Sequence, residues 1–377
     1  MRRQRRALTL HTVVGAVTIE VDYGQEASTR RWVCPARQAW GLGPHQKMTP
    51  ALTERACYTV TATGSYAKAA ALCGKWGSLL DDATIHAAVQ RVGQRAQAQE
   101  TARLQQGPEV RPAERKRPGP AALVIMLDGW MVRQRGVDWG WEPTEAPGER
   151  VAWHEVKRAV IYRLEQAGRS AGGRGLSADK SVVAYQGEPL EFGRRVQAEA
   201  DRRGLGSAQA VYVVADGAVW IGNVQEDRFA QALGLLDFSH AADHLWAVAE
   251  ALYPDQPQRA RAWVESLRHQ LRHGQEQTVV RRLEPLAARC AARPLPVQEV
   301  VERERDYFVS HREHLHYQQM EQRGCPVGSG AVESLCSQLQ GRFKRCGQFW
   351  TEPGLTRLLS VDICLRNGDW DALWNQN

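Results

Sequence analysis

Two aspartates in this chain share one setting. Asp128 closes the apolar run 121–127 and is followed by Gly129; Asp216 closes the run 210–215 and is followed by Gly217. A carboxylate at the end of a buried strand sits on a rigid element and points out of the sheet end, and the glycine lets the backbone turn and leaves room for a ligand. One strand-Asp-Gly is commonly no more than a cap on the next turn. Two of them, in strands that fit neighbouring places in one sheet, favour a shared cation, because adjacent carboxylates otherwise repel. Hard oxygen donors select Mg²⁺ or Mn²⁺.

A third acid comes from CPVGSGAVESLCSQLQGRFKRCGQFW. The spacing predicts a helix over about 331–346, with Ser329 as N-cap and Gly347 as stop. Val332, Leu335, Cys336, Leu339 and Phe343 form its apolar stripe, and Glu333 lies off that stripe. Arg342, Lys344 and Arg345 close the segment and are candidates for contact with DNA. Acid early and base late also suits the helix dipole, an ordinary electrostatic explanation. The approach Gly328-Ser329-Gly330 argues for a helix start against substrate, and Asp237 is the alternative third acid.

Asp237, His240 and His244 form a DxxHxxxH set on a further expected helix. Such a set can bind zinc, but no fourth ligand is evident. A place beside the active site, facing scissile DNA or a metal-bound phosphate, is favoured. His269/His273 and His311/His314 repeat the spacing without other support. Trp130, Trp139, Trp141, Trp220, Trp246 and Trp350 read mostly as core; Trp350, after the basic helix end, is the best candidate for stacking on a base.

These residues need a framework. After the linker the texture reads as strands at 121–127, 151–164 and 181–185, a helix at 189–203, a strand at 210–215, a helix at 224–235 and a short strand at 235–238. That order is the order of an RNase H-like domain, whose first and fourth strands are neighbours. The expected fold class is α/β: residues 121–377 form an RNase H-like mixed sheet with a helical insertion at about 245–320. Before it, residues 1–48 hold a β-hairpin over 8–22 turning at Gly15-Ala16. Residues 49–100 hold three helices, about 50–61, 66–74 and 82–99, capped by Ser65 and by Asp81 or Asp82. The last two resemble a helix-turn-helix that turns Arg91 and Arg95 toward a major groove; a plain helical bundle is the other reading. Residues 101–120 form a proline-rich linker with the basic run Arg115, Lys116, Arg117.

Of the net charge of +7, residues 1–120 carry +9, leaving −2 for 121–377, so a basic module precedes a near-neutral one and a polyanion is the expected partner. The eight cysteines make no CxxC pair and read as small core residues. No apolar run reaches the roughly 18–20 residues of a membrane span, and no signal segment follows the basic start, so no membrane association and a cytoplasmic location are expected.

Together, the strand-Asp-Gly at 128, the strand-Asp-Gly at 216 and VGSGAVES…GRFKRCGQFW resemble the signature of bacterial DDE transposases of the ISKra type, relatives of the Mutator-like transposases. LDFSHAADHLW resembles the block after that family's second catalytic Asp, and the segment from LHTVVGAVTIEVDY onward its N-terminal region. The resemblance implies two-metal phosphoryl transfer on double-stranded DNA, with Asp128, Asp216 and Glu333 ligating two Mg²⁺ or Mn²⁺ ions about 3.5–4 Å apart. It implies strand cleavage at transposon ends, strand transfer into target DNA, a homodimer or larger oligomer on DNA, and a place near the nucleoid. The family pattern carries a cysteine pair near Cys34; here only Trp32 and Cys34-Pro35 stand, so no zinc is expected. A structure-specific nuclease or resolvase, and a non-catalytic transposase-derived DNA-binding protein, are the alternatives.

Overall fold

The computed structural model describes residues 3–26, 28–107, 109–137, 139, 150–169, 175–177 and 179–375; Trp141 lies outside them. Two compact units are present: residues 103–349, and residues 1–102 together with 350–377. The C-terminal helices, Glu352–Arg366 and Trp370–Trp374, thus group with the N-terminal residues.

In the N-terminal unit, β1 (Arg3–Thr12), β2 (Gly15–Gln25) and β3 (Trp32–Val33) form an antiparallel sheet over Leu8, Leu10, Val21, Cys34 and Leu42. The hairpin turns at Val13 and Val14, two residues ahead of the expected Gly15-Ala16. Thr12 and Gly15 are the last register pair, Thr12 Oγ1 donates to Gly15 O over 2.8 Å, and Gly15 takes a φ of +113° that a side chain disfavours. Helices follow at Pro50–Thr63, Tyr66–Lys75 and Asp82–Gln106. Ser65 accepts from Lys68 N (3.3 Å) and Asp81 Oδ1 from Thr84 N (2.5 Å), so both expected caps form. The third helix runs on into the expected linker.

In the larger unit, β4 (Leu123–Arg135), β5 (Val151–Arg163) and β8 (Lys180–Tyr185) are antiparallel, while β9 (Val211–Ala215) and β10 (Leu233–Leu236) run parallel to β4. A small hairpin, β6 (Ala167–Arg169) and β7 (Gly175–Ser177), lies between β5 and β8 in sequence. The sheet order β10-β9-β4-β5-β8 places the first and fourth strands side by side and is compatible with an RNase H-like fold. The expected helix at 224–235 is instead Val219–Arg228, because Leu233–Leu236 is drawn into the sheet by pairing with Tyr212–Ala215.

Side chains alternate across a strand, so β4 serves two layers. Leu123, Ile125 and Leu127 join Phe192, Val196, Ile221 and Val224 of the helices Pro189–Arg202 and Val219–Arg228 in one core. Asp128 and Trp130 belong to the other face, where the helix Gly330–Phe343 packs on β4 and β5 and the Trp130 ring meets Phe343 at 6.4 Å. The stretch between is helical, as expected: Phe238–Leu252, Pro257–Arg272, Glu276–Leu283, Leu286–Arg289, Leu295–Ser310 and Tyr317–Gln322. No helix among the described residues is long and apolar enough to cross a membrane.

Candidate active site

Asp128 does not end its strand. β4 continues to Arg135, but its pairing with β9 stops at Leu127–Ala215. Asp128 therefore stands at a fork, where β4 goes on beside β5 alone and the chain of Asp216 leaves β9. Each aspartate is the residue directly after the last register pair. Gly129 N donates to Asp128 Oδ1 over 2.6 Å, and the Asp128 Oδ2 accepts from Arg158, its register partner on β5. Contrary to expectation, Gly129 does not turn the backbone; it stays in the strand. A Cβ there would lie 2.2 Å from Glu155 Oε1, whose sister oxygen pairs with Lys157 at 2.8 Å. The room that Gly129 leaves is taken by Glu155.

At Gly217 the expected turn does form, at φ +84°. Here Ala218 N donates to Asp216 Oδ1 over 3.0 Å. The helix Leu295–Ser310 braces the turn from the insertion: Tyr307 OH donates to Asp216 O (2.6 Å), and His311 Nε2, just past the helix, lies 3.0 Å from Gly217 O. A Cβ on Gly217 would meet Leu236, His311 and Tyr307 within 3.1 Å, so both conformation and space demand glycine. Burial and the carboxylates of Asp216, Asp237 and Glu304 push the Tyr307 phenol well up, so it is a neutral donor at any working pH.

The second group forms at two helix starts. Asp237 is fully buried; its N–H donates to Ala215 O over 2.7 Å, and it caps Phe238–Leu252 by accepting His240 N at 2.8 Å. Its Oδ2 accepts the backbone N–H of Ser329. Ser329 holds the N-cap position of Gly330–Phe343 but does not cap with its side chain, contrary to expectation. Its Oγ donates instead to Glu333 Oε1 over 2.8 Å. Burial raises the Asp237 carboxyl, but the hydrogen bonds from His240 and Ser329 outweigh it and hold it at about 2. His240 Nδ1 lies 3.3 Å from Asp237 Oδ1. That contact, against the opposing effect of burial and with help from the charges of Asp237, Asp216 and Asp128, lifts the imidazole to about 9.

One ligand atom each from Asp237, His240 and Glu333 lies within 4.8 Å of the others. Glu333 thus takes the place that the DxxHxxxH spacing assigned to His244. His244 is held elsewhere: its Nδ1 bonds Glu304 and its ring stacks on Tyr307 at 3.6 Å. Asp128 and Asp216 are not part of that group, and His240, held protonated by Asp237, is no metal donor there, so hard oxygen donors for a cation come from Glu333, Asp128 and Asp216. Both Asp237 oxygens are already occupied by N–H donors, which leaves that residue suited to hold its neighbours.

The basic candidates separate. Lys116 and Arg91 are exposed. Arg115 pairs with Glu109 (2.8 Å), and Arg117 with Asp179 (3.2 Å). Arg95 is half-buried, 4.9 Å over the Trp374 ring, on the side of its helix that packs rather than the side open to a groove. Arg342 is buried over Phe343 and is not part of a free basic surface; Lys344 lies 5.3 Å over Trp153, and Arg345 is exposed with Nε bonded to Gly341 O at 2.6 Å. Among the aromatic candidates, Trp130 is buried, Trp220, Trp246 and Trp350 are half-buried, and Trp139 is partly exposed against Phe349 at 4.8 Å.

Sequence reading missed Arg158, Glu304 and Tyr307, and it named His311 only for its spacing to His314, without a role. Arg158 carried a signal, a cation inside the apolar stretch VKRAVIY. Glu304, Tyr307 and His311 recur at i, i+3 and i+7, one helical face, but nothing local shows what that face meets.

No protein-family model and no curated protein matches the chain. Among solved structures it is similar to the Drosophila P element transposase strand transfer complex, at 10% identity and a TM-score of 0.37, over 84% of this chain and 92% of that one. At that level nothing about activity follows from the likeness.

Proposed function

We propose that residues 103–349 form the catalytic unit of a DNA transposase, similar to the ISKra-type enzymes, that cleaves strands at transposon ends and transfers them into target DNA. The observation that supports this reading is the fork at Leu127–Ala215, from which Asp128 and Asp216 both depart at one end of a mixed sheet. In this reading Asp128, Asp216 and Glu333 hold two Mg²⁺ or Mn²⁺ ions and no zinc is needed. Bound there, the ions supply the positive charge that phosphodiester cleavage requires.

The chain's own residues do the rest. Asp237 joins the end of β9 to the start of the Glu333 helix. Protonated His240 offers a positive N–H among the acids, where it attracts a scissile phosphate. Lys116, Lys344, Arg345 and Arg91 contact the DNA backbone, Trp350 stacks on a base, and the protein acts as a dimer or larger oligomer on double-stranded DNA, beside the nucleoid.

The test is strand cleavage on a duplex carrying the element's end, with Mg²⁺. Asp128→Asn, Asp216→Asn and Glu333→Gln are each expected to lower it about 1,000-fold or more while duplex binding persists. Cleavage at the wild-type rate in any of the three would remove that residue from the site. Pre-cleaved ends then distinguish a transposase, which joins them to target DNA, from a nuclease or resolvase, which does not. A chain that binds DNA but never cuts it is the non-catalytic descendant.

A further inference from the structure

Arg158 is among the largest fully buried side chains of the molecule, at 2% exposure, and it lies in the middle of a central strand. A guanidinium in such a place carries a heavy desolvation penalty unless it is fully satisfied. It is not: Nη2 donates to Asp128 Oδ2 and approaches Gly129 O at 3.4 Å, while Nε and Nη1 are buried without a hydrogen-bond partner. Its register opposite Asp128 puts both side chains on the face of the sheet that carries the Glu333 helix. A residue serving only to fill the core at this position would be aliphatic, like Val156 and Val160 on the same face.

We infer that Arg158 is a positioning residue that acts through Asp128. It orients the carboxylate against the Gly129 N–H and stands in for a cation until divalent ions arrive, restraining their affinity. The inference rests on the reading of Asp128 as a metal ligand. Two consequences oppose each other. Removing the charge of Arg158 deepens the negative field of Asp128, Asp216, Asp237 and Glu333, so ions bind more tightly. Removing its Nη2 hydrogen bond frees the carboxylate to rotate, so the chemistry at saturating metal slows.

The experiment uses the full chain without DNA and titrates Mn²⁺, reading the free ion by electron paramagnetic resonance, beside cleavage at saturating Mn²⁺. Arg158→Gln is expected to tighten Mn²⁺ about tenfold, the effect of one charge removed at close range, and to lower kcat about tenfold or more. Arg158→Lys, which keeps the charge but not the planar guanidinium that sets Nη2 between Asp128 Oδ2 and Gly129 O, is expected to keep wild-type Mn²⁺ affinity and still lose kcat. A core-filling role moves thermal stability and leaves the Mn²⁺ constant alone. Unchanged or weaker Mn²⁺ binding in Arg158→Gln therefore overturns the inference. Should that variant not fold, wild-type kcat in Arg158→Lys overturns it equally. Absence of Mn²⁺ uptake by the wild type, or uptake that Asp128→Asn leaves intact, overturns the metal reading and takes this inference with it. Wild-type uptake lost in Asp128→Asn, with no change in Arg158→Gln, defeats the inference alone.

Discussion

The acids of this site are held in two different ways. Asp128 and Asp216 each follow directly the last register pair of β4 and β9, Leu127 and Ala215, so backbone pairing sets the point from which both depart. Glu333 is reached through a relay. Asp237 grips the N–H of Ser329, ninety-two positions away, and the Ser329 hydroxyl grips Glu333. The strand pair needs no side-chain help to be adjacent. The helix acid depends on one buried carboxylate and one hydroxyl. Backbone pairing places groups robustly, whereas a relay of side chains can fail at any link.

The contrast can be broken by separating activity from stability. Asp216→Asn is expected to lose cleavage, as above, while its urea midpoint barely moves, since the strand places it; a large fall in stability would mean that the carboxylate itself holds the fork together. Asp237→Ala should lose cleavage and stability together, the latter by about 3 kcal/mol. It deletes a helix cap and leaves the buried Ser329 N–H unsatisfied. Asp237→Asn, with one acceptor oxygen where two are needed, should lie between. A stability near wild type in the Ala variant would show that the relay is not what joins the two helix starts.

Finer discrimination comes from two hydroxyls. Ser329→Ala removes the donor to Glu333 and is expected to slow cleavage about tenfold, because a ligand left free to swing is out of place for much of the time. Tyr307→Phe removes the donor to Asp216 O and should cost about 1 kcal/mol of stability with less than about a threefold change in rate. If Tyr307→Phe slows cleavage as much as Ser329→Ala, register alone does not hold Asp216.

The smallest effect is with pH, in metal-free protein. His240, raised from 6.5 to about 9, stabilises the fold fully below pH 6.5, and the contribution disappears as pH rises through about 9. Asp237, lowered from 3.8 to about 2, contributes above pH 3.8 and loses it as pH falls through about 2. The imidazole is 40% exposed, so solvent screens the pair to the scale of about 1 kcal/mol. Melting in EDTA should therefore decline by about 2–4 °C between pH 6.5 and 9, and His240→Gln should remove that decline. The same slope in the variant would assign the effect to another group.

Most of the framework was legible because it rests on local periodicity. The buried runs ending at Leu127 and Ala215, the alternating hairpin, the Ser65 and Asp81 caps and the helical insertion all announce themselves within a few residues. What misled was continuation: Asp128-Gly129 reads as a strand end, yet pairing with β5 carries the strand on to Arg135. Arg95 and Arg342 were equally opaque, since a basic residue near a helix end reads as surface until a neighbouring ring covers it.

Sequence alone picked out the candidate acids, the buried runs that precede two of them and the helix that carries the third, because each follows from patterns no longer than one element. Only the tertiary structure decided which side chains those acids meet. Arg158 on Asp128, Tyr307 behind Asp216 and Ser329 between Asp237 and Glu333 each join positions 30 to 92 residues apart. Such contacts are set by sheet register and helix packing, and neither is written in the spacing of residues along one strand or one helix.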